Sequence, residues 1–116
     1  MILRLALLIA LLGTACASSS PRVVEVSRRS TTGRRATEAL LVHWSAPAAV
    51  ERVVLEYRQV NRPDHISTLE FATNRRAWTT FSLPAADLRA GGAISAWRVT
   101  LRAGDQLLAE KQSALW

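Results

Sequence analysis

Cysteine is almost missing from this sequence, because Cys16 is the only one among its 116 residues. A single cysteine excludes a disulfide bond within the chain. The sequence also has only two histidines, His43 and His65, and no cluster of carboxylates with the spacing of metal ligands. We therefore expect no metal site and no cofactor.

The motifs of common enzyme classes are missing as well. Asp64 stands beside His65, but adjacent residues in a predicted turn point apart, and no nucleophile elbow of the G-x-S-x-G type occurs. Gly91 and Gly92 precede a predicted strand rather than a helix, so they indicate a turn and not a phosphate-binding loop. The sequence predicts a protein that is not an enzyme.

Lysine is nearly absent, since Lys111 is the only one and the other 14 of the 15 basic residues are arginines. The formal net charge is +6. An arginine- and alanine-rich composition is typical of GC-rich genomes, so this charge does not indicate a nucleic-acid partner. A basic domain of this size nevertheless favours anionic surfaces.

No hydrophobic run is long enough to span a membrane. The longest, Leu5–Leu12, has eight apolar residues, whereas a spanning helix needs about 20. Arg4 precedes the run and the small residues Gly13–Ala15 follow it, which together form the pattern of a secretory signal. We predict a signal peptide over residues 1–15.

The end of this segment resembles the lipobox of bacterial lipoproteins. Its letters "LGTAC" (Leu12–Cys16) lead into the cysteine. The resemblance implies that the sulfur of Cys16 is diacylated and that the chain is cut on its amino side. Since an unmodified single thiol would be a liability in an exported protein, lipidation is the leading hypothesis. The alternative is that "ACA" (Ala15–Ala17) is cut as an ordinary A-x-A site, which would discard the cysteine.

Residues 16–21, the acylated cysteine and a Ser-rich stretch ending in Pro21, are predicted to tether a folded domain to a membrane. Two or three acyl chains hold a protein on a bilayer, because each buried methylene contributes about 0.8 kcal/mol. An aspartate after the acylated cysteine tends to retain lipoproteins in the inner membrane, whereas this chain has Ala17. We therefore expect the periplasmic face of the bacterial outer membrane.

The remaining chain alternates apolar and polar residues over short segments, which is typical of half-buried strands. Leu40, Val42 and Trp44 share one face of such a segment. A turn is expected at 61–64 and one helical turn at 85–88, which the following glycines end. The predicted strands cover residues 22–27, 39–44, 50–60, 66–71, 77–83, 93–101 and 106–116.

Seven short strands without a long helical pattern predict an all-β fold, a single sandwich over residues 22–116. Trp44, "LEYR" (Leu55–Arg58), "LP" (Leu83–Pro84) and "WRVTLRAG" (Trp97–Gly104) resemble the fibronectin type III pattern. Trp97 stands where that family usually has a tyrosine. The resemblance implies an immunoglobulin-like or fibronectin type III-like sandwich, a fold that serves many functions.

Two groups of residues are candidates for binding. The predicted loop "SRRSTTGRR" (27–35) carries two arginine pairs that could contact anionic lipids or an acidic partner, although a solvated loop is the simpler interpretation. The face opposite the core is expected to carry Trp78, and Trp116 is expected either to close the core edge or to remain exposed. If both were exposed together, they would mark a partner surface. The candidate residues are Arg28, Arg29, Arg34, Arg35, Trp78 and Trp116.

These observations leave three hypotheses for the function. The leading one is a non-enzymatic, lipid-anchored protein of the cell envelope, whose sandwich is a binding or assembly module for an envelope protein or an anionic lipid. The second is a glycan-binding module that uses exposed aromatic side chains. The third, a small hydrolase, would need an acid, a base and a nucleophile that converge in one pocket.

Overall fold

The computed structural model describes residues 20–73 and 76–116. The predicted signal peptide and the lipidation site Cys16 lie outside these residues, as does the predicted tether up to residue 19. These three predictions therefore stay predictions. The predicted β-sandwich, in contrast, falls almost entirely within the described part.

The described residues form seven strands in two antiparallel sheets, one short α-helix and a 3-10 turn at Pro47–Ala49. A three-stranded sheet has the order β1-β2-β5, and a four-stranded sheet has the order β4-β3-β6-β7. The predicted all-β sandwich is confirmed, and it is compatible with an immunoglobulin-like or fibronectin type III-like fold. The elements are β1 Val23–Thr31, β2 Thr37–Trp44, β3 Arg52–Gln59, β4 Arg62–Ala72, β5 Trp78–Ser82, the helix α1 Ala85–Gly91, β6 Ile94–Ala103 and β7 Gln106–Gln112.

The core lies between the two sheets and follows the alternation of the sequence. In β2 the predicted inward face is correct, since Leu40, Val42 and Trp44 are all buried. In β3 every second residue is buried, from Val53 to Gln59. Burial of such apolar side chains contributes about 1.5–3 kcal/mol each. The other members of the core are Val50, Phe81, Leu83, Ile94, Val99 and Leu101.

The first strand is longer than the sequence predicts. Residues 28–31 were expected in a loop, but β1 continues to Thr31, which pairs with Thr37 of β2. The Thr37 amide and hydroxyl both contact the Thr31 hydroxyl, at 3.0 and 2.7 Å. These contacts close the hairpin, so Arg28 and Arg29 are strand residues, and only residues 32–36 form the turn.

Two further details differ from the expectation. The turn after β3 is confined to Val60 and Asn61, and β4 begins at Arg62, so the predicted turn residues Pro63 and Asp64 lie in a strand. In β6 the register shifts where Arg58 pairs with Ala96 and Gln59 pairs with Ile94. This bulge adds one residue to β6. It therefore places Ile94 on the core face, where strict alternation back from Val99 and Leu101 would place Ser95.

The sandwich has two ends, which matter for the candidate sites. At the Ser45 end, β1 begins and β2 ends, because Val23 pairs with Trp44. At the distal end lie the β1–β2 turn (32–36), the β3–β4 turn and α1. The nine residues of β1 separate the two ends by about 30 Å at about 3.3 Å per residue.

Candidate functional site

Arg28 and Glu38 form an ion pair on the three-stranded sheet, and both side chains bind the backbone of Ile94 in the other sheet. The Glu38 side chain is buried, and its Oε1 atom lies 3.4 Å from Nε of Arg28. Glu38 also accepts a hydrogen bond from the backbone amide of Ile94 at 2.9 Å, while Arg28 donates to the carbonyl oxygen of Ile94. Both backbone polar groups of Ile94 are thus satisfied across the core. Arg28, predicted to contact anions, is therefore engaged in a contact between the sheets.

Arg29 projects from the outer face of the three-stranded sheet, where it shares a groove with Trp78. This Trp78 groove has a volume of about 540 Å³. The large aromatic side chain of Trp78, at the start of β5, is 52% exposed. The groove is lined by Glu25, Arg29, Leu41, His43, Trp78 and Thr80.

Trp116 packs against the four-stranded sheet instead. The guanidinium carbon atoms of Arg58 and Arg98 lie 5.0 and 5.3 Å from the centre of its ring. Both arginines face outward on neighbouring strands, β3 and β6. These distances are within the range of cation–π contacts. Trp116 therefore neither closes the core edge nor extends freely into solvent.

The two candidate tryptophans do not meet. Trp78 lies on the outer face of one sheet and Trp116 lies over the outer face of the other, so the core separates them. The segment after β7 determines this position, because Ser113 exchanges hydrogen bonds with the Trp97 backbone at 2.9 and 3.0 Å. A single aromatic platform made of Trp78 and Trp116 is excluded by this arrangement.

Arg34 and Arg35 lie in the β1–β2 turn at the distal end, where they face the helix. They share a groove of about 550 Å³ with Arg89 of α1. The side chains of all three arginines are exposed. We call this the distal groove, and it is lined by Gly33, Arg34, Arg35, Ala36, Thr37, Ala85, Leu88 and Arg89.

The buried side chain of Gln59 holds α1 in place. Its Nε2 atom donates to the carbonyl oxygens of Asp87 and Gly92, at 2.8 and 2.9 Å. Leu88 of the helix packs against the core. Because an unpaired buried amide would be unfavourable, these two hydrogen bonds fix the helix relative to β3. The helix in turn positions Arg89 beside the β1–β2 turn.

Tyr57 makes a second contact to the same helix. Its hydroxyl donates to the carboxylate of Asp87 at 3.3 Å. Burial raises the pKa of Tyr57 above its ordinary value, and the negative charge of Asp87 raises it further. The acidic side chain of α1 is thus directed toward β3 and away from the distal groove.

The distal groove carries positive charge that no carboxylate of the described residues pairs with. Among residues 20–73 and 76–116, no ion pair includes Arg34, Arg35 or Arg89. Glu38 lies at the base of the turn, but its carboxylate already binds the side chains of Arg28 and Ser30. The ion pairs of the described residues are Arg28–Glu38, Arg52–Glu70 and Arg98–Glu56.

Sequence reasoning missed Arg89 and Glu38 as residues of interest. Arg89 lies in a separate element from Arg35, and only the folded sandwich brings them to one end. Glu38 had a local signal, because it occupies the same alternating face as Leu40 and Val42. An acid on a core-facing position indicates a buried partner.

Within residues 20–73 and 76–116, no group of three or more histidine, cysteine, aspartate or glutamate side chains is placed to hold a metal ion. In the same part of the chain, no helix has the length and apolar character to cross a bilayer.

Comparisons with known proteins identify no relative. No protein-family model matches the chain, and no curated protein and no solved structure matches it significantly.

Proposed function

We propose that this chain is a non-enzymatic, lipid-anchored protein of the bacterial cell envelope, whose sandwich is a binding or assembly module. The acyl chains on Cys16 would be its membrane contact. Ala17, and not an aspartate, follows Cys16, which favours a location on the periplasmic face of the outer membrane. Within the sandwich class, we infer a fibronectin type III-like domain from the pattern around Trp44, Leu55–Arg58 and Trp97.

Hydrogen bonds at the Ser45 end support a short tether. The Ser45 hydroxyl donates to the carbonyl oxygen of Ser20 at 3.0 Å and accepts from the Arg22 amide at 3.0 Å. The chain is therefore bound to the sandwich from Ser20 onward. Residues 16–19 then span at most about 14 Å, which would hold the Ser45 end close to a membrane.

The observation that carries the binding role is the exposure of Trp78. Outward-facing positions of a solvated sheet are usually polar, yet Trp78 is 52% exposed beside Leu41. Tryptophan is enriched at protein interfaces, where its large ring buries much apolar area. Glu25 and Arg29 at the rim of the Trp78 groove add charges of both signs that could orient a partner.

Anchoring is tested with a Cys16→Ser variant. We expect the wild-type protein to fractionate with membranes and its mature N-terminal residue to be an acylated cysteine by mass spectrometry. The variant should lose the lipid and change location. A mature wild-type chain that begins at Ser18 would contradict the anchor and indicate a secreted domain.

Binding is tested by crosslinking in intact cells and identifying the neighbours in the membrane fraction. Trp78→Ala should abolish the main crosslinked neighbour, because it removes the exposed ring of the groove. Leu115→Ala is the matched control, since Leu115 is 77% exposed and belongs to the segment after β7. If Trp78→Ala retains the same neighbours as this control, the Trp78 groove is not the partner surface.

A glycan ligand is the second candidate for the Trp78 groove. An exposed indole ring can stack on a sugar, and Glu25, His43 and Arg29 provide polar groups around it. Because Trp116 lies over the other sheet, such a site would contain one tryptophan ring. Titration of envelope oligosaccharides against tryptophan fluorescence, with Trp78→Ala as the comparison, distinguishes a glycan from a protein partner.

A further inference from the structure

We propose that the distal groove binds a phosphate-bearing anion in solution, and that Arg34, Arg35 and Arg89 are the residues that hold it. Arg34 and Arg35 come from the β1–β2 turn, whereas Arg89 comes from α1. The site therefore exists only in the folded sandwich.

The positive charge of the distal groove is not compensated by an ion pair among the described residues. Three arginine side chains line one groove, and no ion pair among the described residues includes any of them. The acid at the start of β2 and the acid of α1 have other partners, since Glu38 binds Arg28 and Asp87 accepts from Tyr57. Like charges gathered in this way repel each other, so an anion that enters the groove relieves the repulsion.

The chemistry of the three side chains favours phosphate. A guanidinium group presents several N–H donors in a planar fork, which matches the oxygens of phosphate in two parallel hydrogen bonds. A single carboxylate has only two oxygens, whereas a phosphate group offers three or more acceptor oxygens and up to two negative charges. Ala85 and Leu88 form an apolar part of the groove, which has room for more than the phosphate group itself.

The position of the groove favours a soluble ligand over a headgroup of the anchoring membrane. The Ser45 end holds Ser20, near the end of the predicted tether, and the nine residues of β1 place the distal groove at the other end. That separation is about 30 Å at about 3.3 Å per residue. This orientation rests on the proposed anchor at Cys16, whereas the anion site itself rests on the described residues alone.

The experiment uses the full-length chain with Cys16→Ser, so that its outcome does not depend on lipidation. Tripolyphosphate is titrated at low salt, and binding is followed by calorimetry and by the melting temperature. We expect the ligand to raise the melting temperature. The variant Arg34→Ser/Arg35→Ser/Arg89→Ser should bind about tenfold or more weakly, which corresponds to about 1.4 kcal/mol.

A second triple variant is the matched control. Arg22→Ser/Arg76→Ser/Arg102→Ser removes the same charge from the Ser45 end, and we expect it to bind tripolyphosphate like the parent chain. Equal weakening in both triple variants would show a general charge effect and overturn the site. The three arginines of the distal groove are exposed, so their replacement should leave the unliganded fold intact, which the melting temperature verifies.

Two more arms test the chemistry and the source of the ligand. Citrate carries its charge on carboxylates, and we expect it to bind more weakly than tripolyphosphate. Equal affinity would contradict the preference for phosphate. Phosphatidylglycerol vesicles present phosphate in a membrane, and binding to vesicles through these arginines without binding to tripolyphosphate would overturn the soluble source.

Discussion

Gly91 and Gln59 fit against each other because position 91 has no side chain. A Cβ atom at Gly91 would lie 2.4 Å from the amide carbon and oxygen of the Gln59 side chain. Gln59 is only 1% exposed, and its two hydrogen bonds fix the helix α1 to the end of β3. This contact therefore supports the wall of the distal groove that carries Arg89.

Gly91→Ala should destabilise the domain by about 1–2 kcal/mol. Alanine favours a helix over glycine by about 0.5–1 kcal/mol, but the Gln59 side chain can move away only by breaking its hydrogen bonds, each worth about 0.5–1.5 kcal/mol. Urea unfolding measures the change. In a Gln59→Ala background the collision is gone, so Gly91→Ala should be neutral or stabilising there. The same loss in both backgrounds would contradict the contact.

Local alternation made much of the core predictable. In an extended strand every second side chain points to the same face, so the sequence alone predicts the shared face of Leu40, Val42 and Trp44. All three are buried. The bulge in β6 was not predictable in this way. It depends on how Gln59 and Ile94 pair across two strands, and it places Ile94 on the core face, where alternation alone would place Ser95.

The candidate sites were less predictable, because they depend on which elements meet. The sequence indicated Arg34 and Arg35 as a basic loop, but the third arginine of the groove comes from α1, far along the chain. It also grouped Arg28 with them, whereas the buried position of Glu38 draws Arg28 into the contact between the sheets. Lipidation of Cys16 lies outside the described residues and stays a prediction.

Glu38→Ala should lower the free energy of unfolding by about 2 kcal/mol. The substitution leaves the Ile94 amide without its acceptor and Arg28 without its acid, and an unsatisfied buried polar group costs about 1–3 kcal/mol. Urea unfolding measures the loss. Glu25→Ala is the control on the outer face of the same sheet, where we expect a change within about 0.5 kcal/mol. Similar losses for both variants would argue against a special role of Glu38.

Trp116→Ala should destabilise the domain by about 1–2 kcal/mol, because it removes two cation–π contacts and each exposed contact contributes about 0.5–1 kcal/mol. Arg58 and Arg98 would both lose the ring that covers them. Thermal unfolding at constant pH checks this loss. Leu115→Ala removes the neighbouring side chain, which is 77% exposed, and should have little effect. An unchanged melting temperature in Trp116→Ala would show that the ring is not held by the arginines.

Tyr57 predicts how stability changes at high pH. Its pKa is raised above 10.0, first by burial and also by the charge of Asp87. Below pH 10 the phenol is neutral in both states, so it contributes no pH dependence there. Above pH 10 the unfolded chain loses this proton while the folded chain keeps it, so stability falls until the pH reaches the folded pKa.

Urea unfolding over this range measures the fall in stability, and Tyr57→Phe should remove the part of it that this phenol contributes. Tyr57 is the only tyrosine, so ultraviolet absorbance reports its ionisation directly, and a titration midpoint at the ordinary value in the folded protein would contradict the prediction.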